Sequence, residues 1–154
     1  MMNIRVYADT SIFGGIYDDD FQEVSEEFFE EVKKNRFTLI TSAVVRAEIE
    51  PAPEKIKIFF NDLIEIAEIV DVSKEALDLR NAYLKAGILT SKYSDDALHV
   101  SLASVSNCSL IVSWNFKHIV HFEKIPLYNA VNILNGYSEI KIFSPLEVIK
   151  YEED

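Results

Sequence analysis

The feature that most constrains this chain is a regular alternation. Short apolar segments follow longer amphipathic ones, and no two apolar segments read as a hairpin. Residues 4–8 (IRVYA), 37–41 (FTLIT), 68–72 (EIVDV), 109–113 (SLIVS) and 140–143 (IKIF) read as strands. Between them apolar residues recur at helical spacing: Phe21, Val24, Phe28 and Val32 in 19–34, and Ile56, Phe59, Phe60, Leu63 and Ile64 in 54–66. A short helix from about Ser42 to Glu50 stops before Pro51 and Pro53. Ser73 predicts the cap of a helix running to Ala86, with Gly87 at its end. Ser94 predicts the cap of a helix over 95–107, and Pro126 the first turn of one stopping near Gly136. Such alternation predicts βαβ units, hence an α/β fold of three layers, α/β/α, around a five-stranded parallel sheet. The length of 154 residues fits one domain, taken as 1–150, with an acidic C-terminal tail at 151–154.

Charge enters next. With 15 basic and 26 acidic residues the formal net charge is −11, which argues against a nonspecific polyanion binder. The acidity is local, however. Residues 18–31 hold eight acids and no base, and Glu152, Glu153 and Asp154 add three; without these eleven, 15 acids face 15 bases. The first segment reads as a solvated helix face, its acids suited to the helix dipole and Phe21, Phe28 and Phe29 turned to the core. Cys108 is the only cysteine, which excludes an intramolecular disulfide and suits a reducing compartment. There is no run of ~20 apolar residues and no basic-then-apolar leader, so the expectation is a cytoplasmic protein away from the membrane.

In a doubly wound sheet, functional groups collect beyond the carboxyl ends of the strands, at the point where strand order reverses. Asp9 ends the first strand, and Asn115 lies two residues past the fourth. Glu48 sits on the helix after the second strand, and Asp95 and Asp96 open the helix leading to the fourth. This arrangement gathers three carboxylates and one amide at one edge. At ~4 Å and an effective dielectric of ~20, each pair of carboxylates repels by about 4 kcal/mol. A divalent cation relieves that repulsion. An all-oxygen ligand set selects a hard ion, Mg²⁺ or Mn²⁺ with retained waters, and such water is the nucleophile a phosphodiester hydrolase needs.

These residues, in this order, resemble the PIN-domain family of metal-dependent ribonucleases. The similarity runs through VYADTSIFGG with Asp9, TLITSAVVRAEIE with Glu48, DDALHVSLA with Asp96, IVSWNFKHIV with Ser113 and Asn115, and IKIFSPLEVI. It implies a sheet of order 3-2-1-4-5 and a metal held by Asp9, Glu48 and Asp96, with Asn115 assisting. It also implies RNA as substrate and VapC-like toxins of type II toxin–antitoxin pairs as relatives, with an antitoxin and a second copy of the chain as partners. The chain departs from the family pattern at Asn115, where an acid is usual. That removes one charge and weakens any second ion. Asp95 precedes Asp96, and the D-A-L match favours Asp96 as the ligand.

Each residue also has a plainer reading. Asp9 fits a helix cap, Glu48 an exposed helix face, Asp95 and Asp96 a helix dipole, and Asn115 a turn. Thr10 either holds a metal-bound water or caps the next segment. Ser113 either contacts the site or simply ends its strand. Gly14 and Gly15 permit a tight turn near the substrate path, but no G-x-x-x-x-G-K-[ST] phosphate loop exists. The H-x-x-H pair His118 and His121, with His99 elsewhere, lacks the further ligands of a zinc set. Lys117 and His118 stand where they reach phosphate. Trp114 reads first as loop packing and second as a surface for stacking a base. Two rival functions remain. One is a PIN-like RNA- or protein-binding module that has lost catalysis. The other is a phosphatase using Asp9 as phosphoryl acceptor, against which Ser11 stands where a second Asp is needed.

Overall fold

The computed structural model describes residues 4–151. The expected tail residues Glu152, Glu153 and Asp154 lie outside them. In chain order the elements are β1 (Ile4–Ala8), α1 (Thr10–Gly15), α2 (Gln22–Lys33), β2 (Phe37–Ser42), α3 (Ala43–Ile49), α4 (Glu54–Leu63) and β3 (Glu68–Val70). Then follow α5 (Lys74–Lys85), a 3₁₀ turn at Ser91–Tyr93, α6 (Ser94–Val105), β4 (Leu110–Val112), α7 (Ile125–Leu134), β5 (Lys141–Phe143) and a 3₁₀ turn at Pro145–Glu147.

The sheet has the order β3-β2-β1-β4-β5, with every neighbour pair parallel. β1 lies at its centre, Val6 opposite Leu39 of β2 and Leu110 of β4. Strands covered on both faces must be apolar on both, and Val6, Tyr7, Ala8, Leu39, Ile40, Ile111 and Val112 are fully enclosed or nearly so. The chain builds outward from β1 to β3, then returns past β1 to β4 and β5. Right-handed crossovers therefore put α1–α4 on one face and α5–α7 on the other, and each set packs within itself. The reversal leaves a crevice at the carboxyl ends of β1 and β4.

Local signals set most boundaries. Ser42 and Ser73 cap α3 and α5, their hydroxyls accepting from Val45 N–H and Ala76 N–H. Gly87 follows α5 with φ +80°, a left-handed conformation that closes a helix end cheaply only in glycine.

Three expectations need correction. Ser94 does not cap α6: the 3₁₀ turn begins earlier, so Ser94 is already helical. Gly14 and Gly15 form no turn; they are in α1, an element the sequence did not announce. A Cβ on Gly15 would meet Ser25 Oγ at 2.5 Å and Trp114 Nε1 at 2.9 Å, so its role is close packing. Finally, not all acids of 18–31 face water. Glu31 is buried, receives Arg36 Nη1 at 2.6 Å, and accepts from the backbone N–H of Lys150 at 3.2 Å. Arg36 also donates to Val148 O, so this knot fastens the C-terminal segment to α2.

Candidate functional site

β1 delivers Asp9 to the crevice, and α1 starts directly after it. Asp9 is extended and caps α1: its Oδ1 accepts from Ser11 N–H at 3.1 Å and from the Ser11 hydroxyl at 2.5 Å. Ser113, just past β4, donates its hydroxyl to Asp9 Oδ2 at 2.5 Å. The carboxyl is 4% exposed. Burial raises its pKa, outweighing the charge of His99 and the two serine hydrogen bonds, and the charge of Glu48 adds to the rise. The carboxylate that caps α1 is thus also the candidate site residue.

Glu48 projects from α3 and stays partly exposed. Its Oε1 accepts from Thr10 Oγ1 at 2.7 Å and from His99 Nε2 at 2.6 Å. A carboxylate only accepts, so His99 carries its proton on Nε2. Its Nδ1 lies 2.8 Å from the Tyr7 hydroxyl, which is 2.7 Å from Ser42 Oγ. Burial alone would raise the pKa of Glu48, but the hydrogen bond and charge of His99, with Thr10, bring it below its ordinary value. Burial likewise works to lower that of His99. The Glu48 hydrogen bond and the fields of Asp9, Glu48 and Asp96 prevail and raise it.

Asp96, in the first turn of α6, receives His118 Nδ1 on Oδ2 at 2.8 Å. Asn115 ties in through the backbone. Its Oδ1 accepts from His118 N–H at 2.9 Å, and its own N–H donates to Ser113 Oγ at 2.9 Å. The side-chain oxygen thus caps the turn after β4, leaving Nδ2, a donor, as the group free to meet a ligand. Asp95 is exposed and makes no side-chain hydrogen bond among the described residues.

The hydrogen bonds form two networks: Asp9, Ser11 and Ser113 reach Asp96 through Asn115 and His118, and Glu48, Thr10, His99, Tyr7 and Ser42 form the other. The charges of Asp9, Glu48 and Asp96 all act on His99. Among the described residues, no three His, Cys, Asp or Glu side chains form a closed metal cage. A magnesium-type site does not require one, because that ion keeps several waters and takes one or two carboxylates. The donors are carboxylate oxygens, and Asp9 is a buried carboxylate whose charge the protein only partly offsets. This set fits a hard, partly hydrated divalent ion.

Sequence reasoning set His99 and His118 aside as ligands and missed them as carboxylate partners. One signal was available: His99 interrupts the apolar run of a helix buried from Ala97 to Ser104, and a buried imidazole needs a partner. Trp114 is packing. It stacks on Phe21 with centroids 4.3 Å apart, and its Nε1 donates to Ser25 Oγ at 2.8 Å.

The family model for the PIN domain matches residues 6–119. No curated protein matches by sequence. Among solved structures, the fold is similar to a chain of VapBC2 from Rickettsia felis bound to a promoter DNA fragment, with TM-score 0.61 and 19% identity, covering 90% of this chain and 97% of that one. DNA-bound VapBC from Salmonella typhimurium gives 0.59 at 17% identity, covering 92% and 98%. FitAcB from Neisseria gonorrhoeae gives 0.59 at 12%, covering 93% and 99%.

Proposed function

The chain belongs to the PIN domain family, and from that premise we propose that it is a Mg²⁺- or Mn²⁺-dependent endoribonuclease hydrolysing RNA phosphodiesters. PIN domains are generally nucleases, and the finer assignment rests on the crevice. The observation that carries it is Asp9: a buried carboxylate at the end of the central strand, its pKa raised, with Glu48 and Asp96 close enough that all three fields act on His99.

Asp9, Glu48 and Asp96 would hold the ion, which would supply Lewis-acid chemistry at a phosphate oxygen and lower the pKa of the attacking water. Ser11 and Ser113 fix the Asp9 carboxyl, His99 and Thr10 that of Glu48, and His118 that of Asp96. Asn115 offers Nδ2 as a hydrogen-bond donor to an anionic oxygen, with no charge to attract a second ion. Asp95 stands by as an exposed neighbour.

The whole domain, 1–150, carries this activity. The fold shared with VapBC complexes supports the toxin of a toxin–antitoxin pair with an antitoxin as partner. A second copy of the chain and a cytoplasmic location belong to the same proposal. No helix among the described residues is long and apolar enough to cross a membrane.

The test is cleavage of single-stranded RNA with Mn²⁺. Wild-type protein cleaves, and Asp9→Asn loses at least about two orders of magnitude, the scale of removing an electrostatic stabiliser. Equal cleavage by the variant refutes the assignment. The engaged oxygen of Asn115 favours one other reading, a binding module without catalysis. Absence of Mn²⁺ binding by calorimetry at millimolar ion would select that reading.

A further inference from the structure

Residues 85–124 differ in charge from the rest of the chain. They hold Lys85, Lys92, Lys117 and Lys124 and all three histidines, against Asp95, Asp96 and Glu123, in a protein of net charge −11. Two of these lysines converge. Lys92 Nζ lies 5.5 Å from the centroid of the Tyr93 ring, and Lys117 Nζ, from the loop after β4, lies 5.9 Å from the same centroid. Both lysines are exposed, and neither forms an ion pair among the described residues, although acids are plentiful elsewhere. Cation–π attraction at an exposed site gives about 0.5–1 kcal/mol per pair, so it seats the ammonium groups without neutralising them.

The ring leads into the site. Tyr93 packs on His118 with centroids 4.0 Å apart, and His118 donates to Asp96. Beside them is an open cleft of about 290 Å³ lined by the segment Gly87–Thr90, Tyr93, His118 and Lys124. That is at the small end of ligand clefts, ~300–1,000 Å³, and suits one nucleotide unit. Phe116, next to Lys117 in the chain, is 45% exposed and meets Trp114 in a T-shaped pair with centroids 6.1 Å apart. An exposed aromatic ring on the same loop as one of two unpaired lysines supplies what single-stranded nucleic acid uses: charge for the backbone and a flat face for a base.

We propose that Lys92, Tyr93, Lys117 and Phe116 form the substrate-docking platform. The two ammonium groups hold consecutive phosphates of single-stranded RNA, and Phe116 stacks an unpaired base, leading the strand to the Asp96 side of the crevice. The choice of RNA rests on the ribonuclease reading above; the platform itself rests on the charge and aromatic geometry.

The test is binding of a labelled single-stranded oligoribonucleotide to the full chain in EDTA, across a salt series, with Mn²⁺ calorimetry in parallel. Lys92→Gln with Lys117→Gln weakens binding about tenfold at low salt and flattens the log–log salt slope by about 1.4, or ~0.7 per phosphate contact. Phe116→Ala weakens binding by about tenfold and leaves the slope unchanged. Lys33→Gln with Lys74→Gln, two lysines already paired to Glu30 and Asp78, changes neither. Mn²⁺ affinity stays at the wild-type value in all of them. An unaltered slope in the Lys92/Lys117 variant, an equal loss in the Lys33/Lys74 control, or equal affinity for a blunt RNA duplex overturns the platform. If the platform variants lose binding but wild type never cleaves with Mn²⁺, the platform stands and the ribonuclease reading falls. If wild type cleaves with KM unchanged in those variants, the reverse holds.

Discussion

Asp9 carries two opposed demands. As a cap it must accept from the first turn of α1, and as a buried carboxylate it must carry charge where charge is disfavoured. Asparagine keeps the accepting oxygen and drops the charge. Metal-free Asp9→Asn therefore melts higher than metal-free wild type, by about 2–4 °C for each kcal/mol relieved in a chain of this size. Asp9→Ala loses the cap as well and melts lower than Asp9→Asn, by about 1 kcal/mol of cap. Calorimetric melts in EDTA check both, and a lower midpoint for Asp9→Asn would show that the charge is well compensated. The Glu48–His99 pair adds a pH dependence. The His99 pKa is raised by its carboxylate neighbours, so its stabilising contribution is complete below its unfolded value of about 6.5 and is lost as pH rises through the folded value. The Glu48 pKa is lowered, so its contribution is present above about 4.3 and is lost as pH falls through the folded value. The raised Asp9 works in the same direction as His99. The metal-free chain is therefore most stable at mildly acidic pH, and its urea midpoint falls as pH rises above about 6.5. His99→Gln, which retains a donor toward Glu48, shows a smaller fall. A wild-type midpoint constant over that range removes the argument.

At the scale of elements, the second helical layer is joined by a buried polar knot. Asn132 of α7 is fully enclosed; its Oδ1 accepts from the Tyr83 hydroxyl of α5, and its Nδ2 donates to Ser104 Oγ of α6 at 2.9 Å. Burial pushes the Tyr83 hydroxyl well above its ordinary pKa, so it stays neutral and donates. Asn132→Ala leaves the Tyr83 hydroxyl only a 3.4 Å contact to Ser104 Oγ and takes a donor from Ser138 O, costing about 1–3 kcal/mol, measured by urea unfolding. A loss below about 0.5 kcal/mol would mean that water replaces the amide. The elements also show what sequence can carry. The central strands were legible because a strand covered on both faces has to be an apolar run, α3 because Pro51 and Pro53 stop it, and α5 because the Ser73 cap is local. α1 was not. TSIFGG is six residues with two glycines, too short for a period and rich in the residue least suited to helices; packing against Ser25 and Trp114 holds it. The site divides the same way. The carboxylates were legible from their order and positions at strand ends. Their partners were not, because His99 reaches Glu48 across 51 residues and His118 reaches Asp96 across 22, pairings that exist only once the sheet is wound.

The whole molecule turns on where the sheet reverses. β1 supplies Asp9, α1 Thr10, α3 Glu48, α6 His99 and Asp96, and the end of β4 Ser113, so both layers and both halves of the sheet meet at one crevice. Unfolding either half disperses the carboxylates. A cation bound there is then linked to global stability, contributing about 2.7 kcal/mol at a hundredfold excess over its dissociation constant. Near-saturating Mn²⁺ accordingly raises the wild-type midpoint by about 5–10 °C. Trp114, the only tryptophan, reports the same event. Its backbone N–H donates to Ser11 Oγ at 2.8 Å, and that hydroxyl in turn donates to Asp9. Its fluorescence therefore responds to titration and loses its native signal at the same temperature as the helical circular dichroism. Asp9→Asn removes the Mn²⁺ shift while keeping its own higher metal-free midpoint. That crossing of the two curves separates a carboxylate kept for a cation from one kept for capping: a purely structural Asp9 would give midpoints indifferent to Mn²⁺ in both proteins.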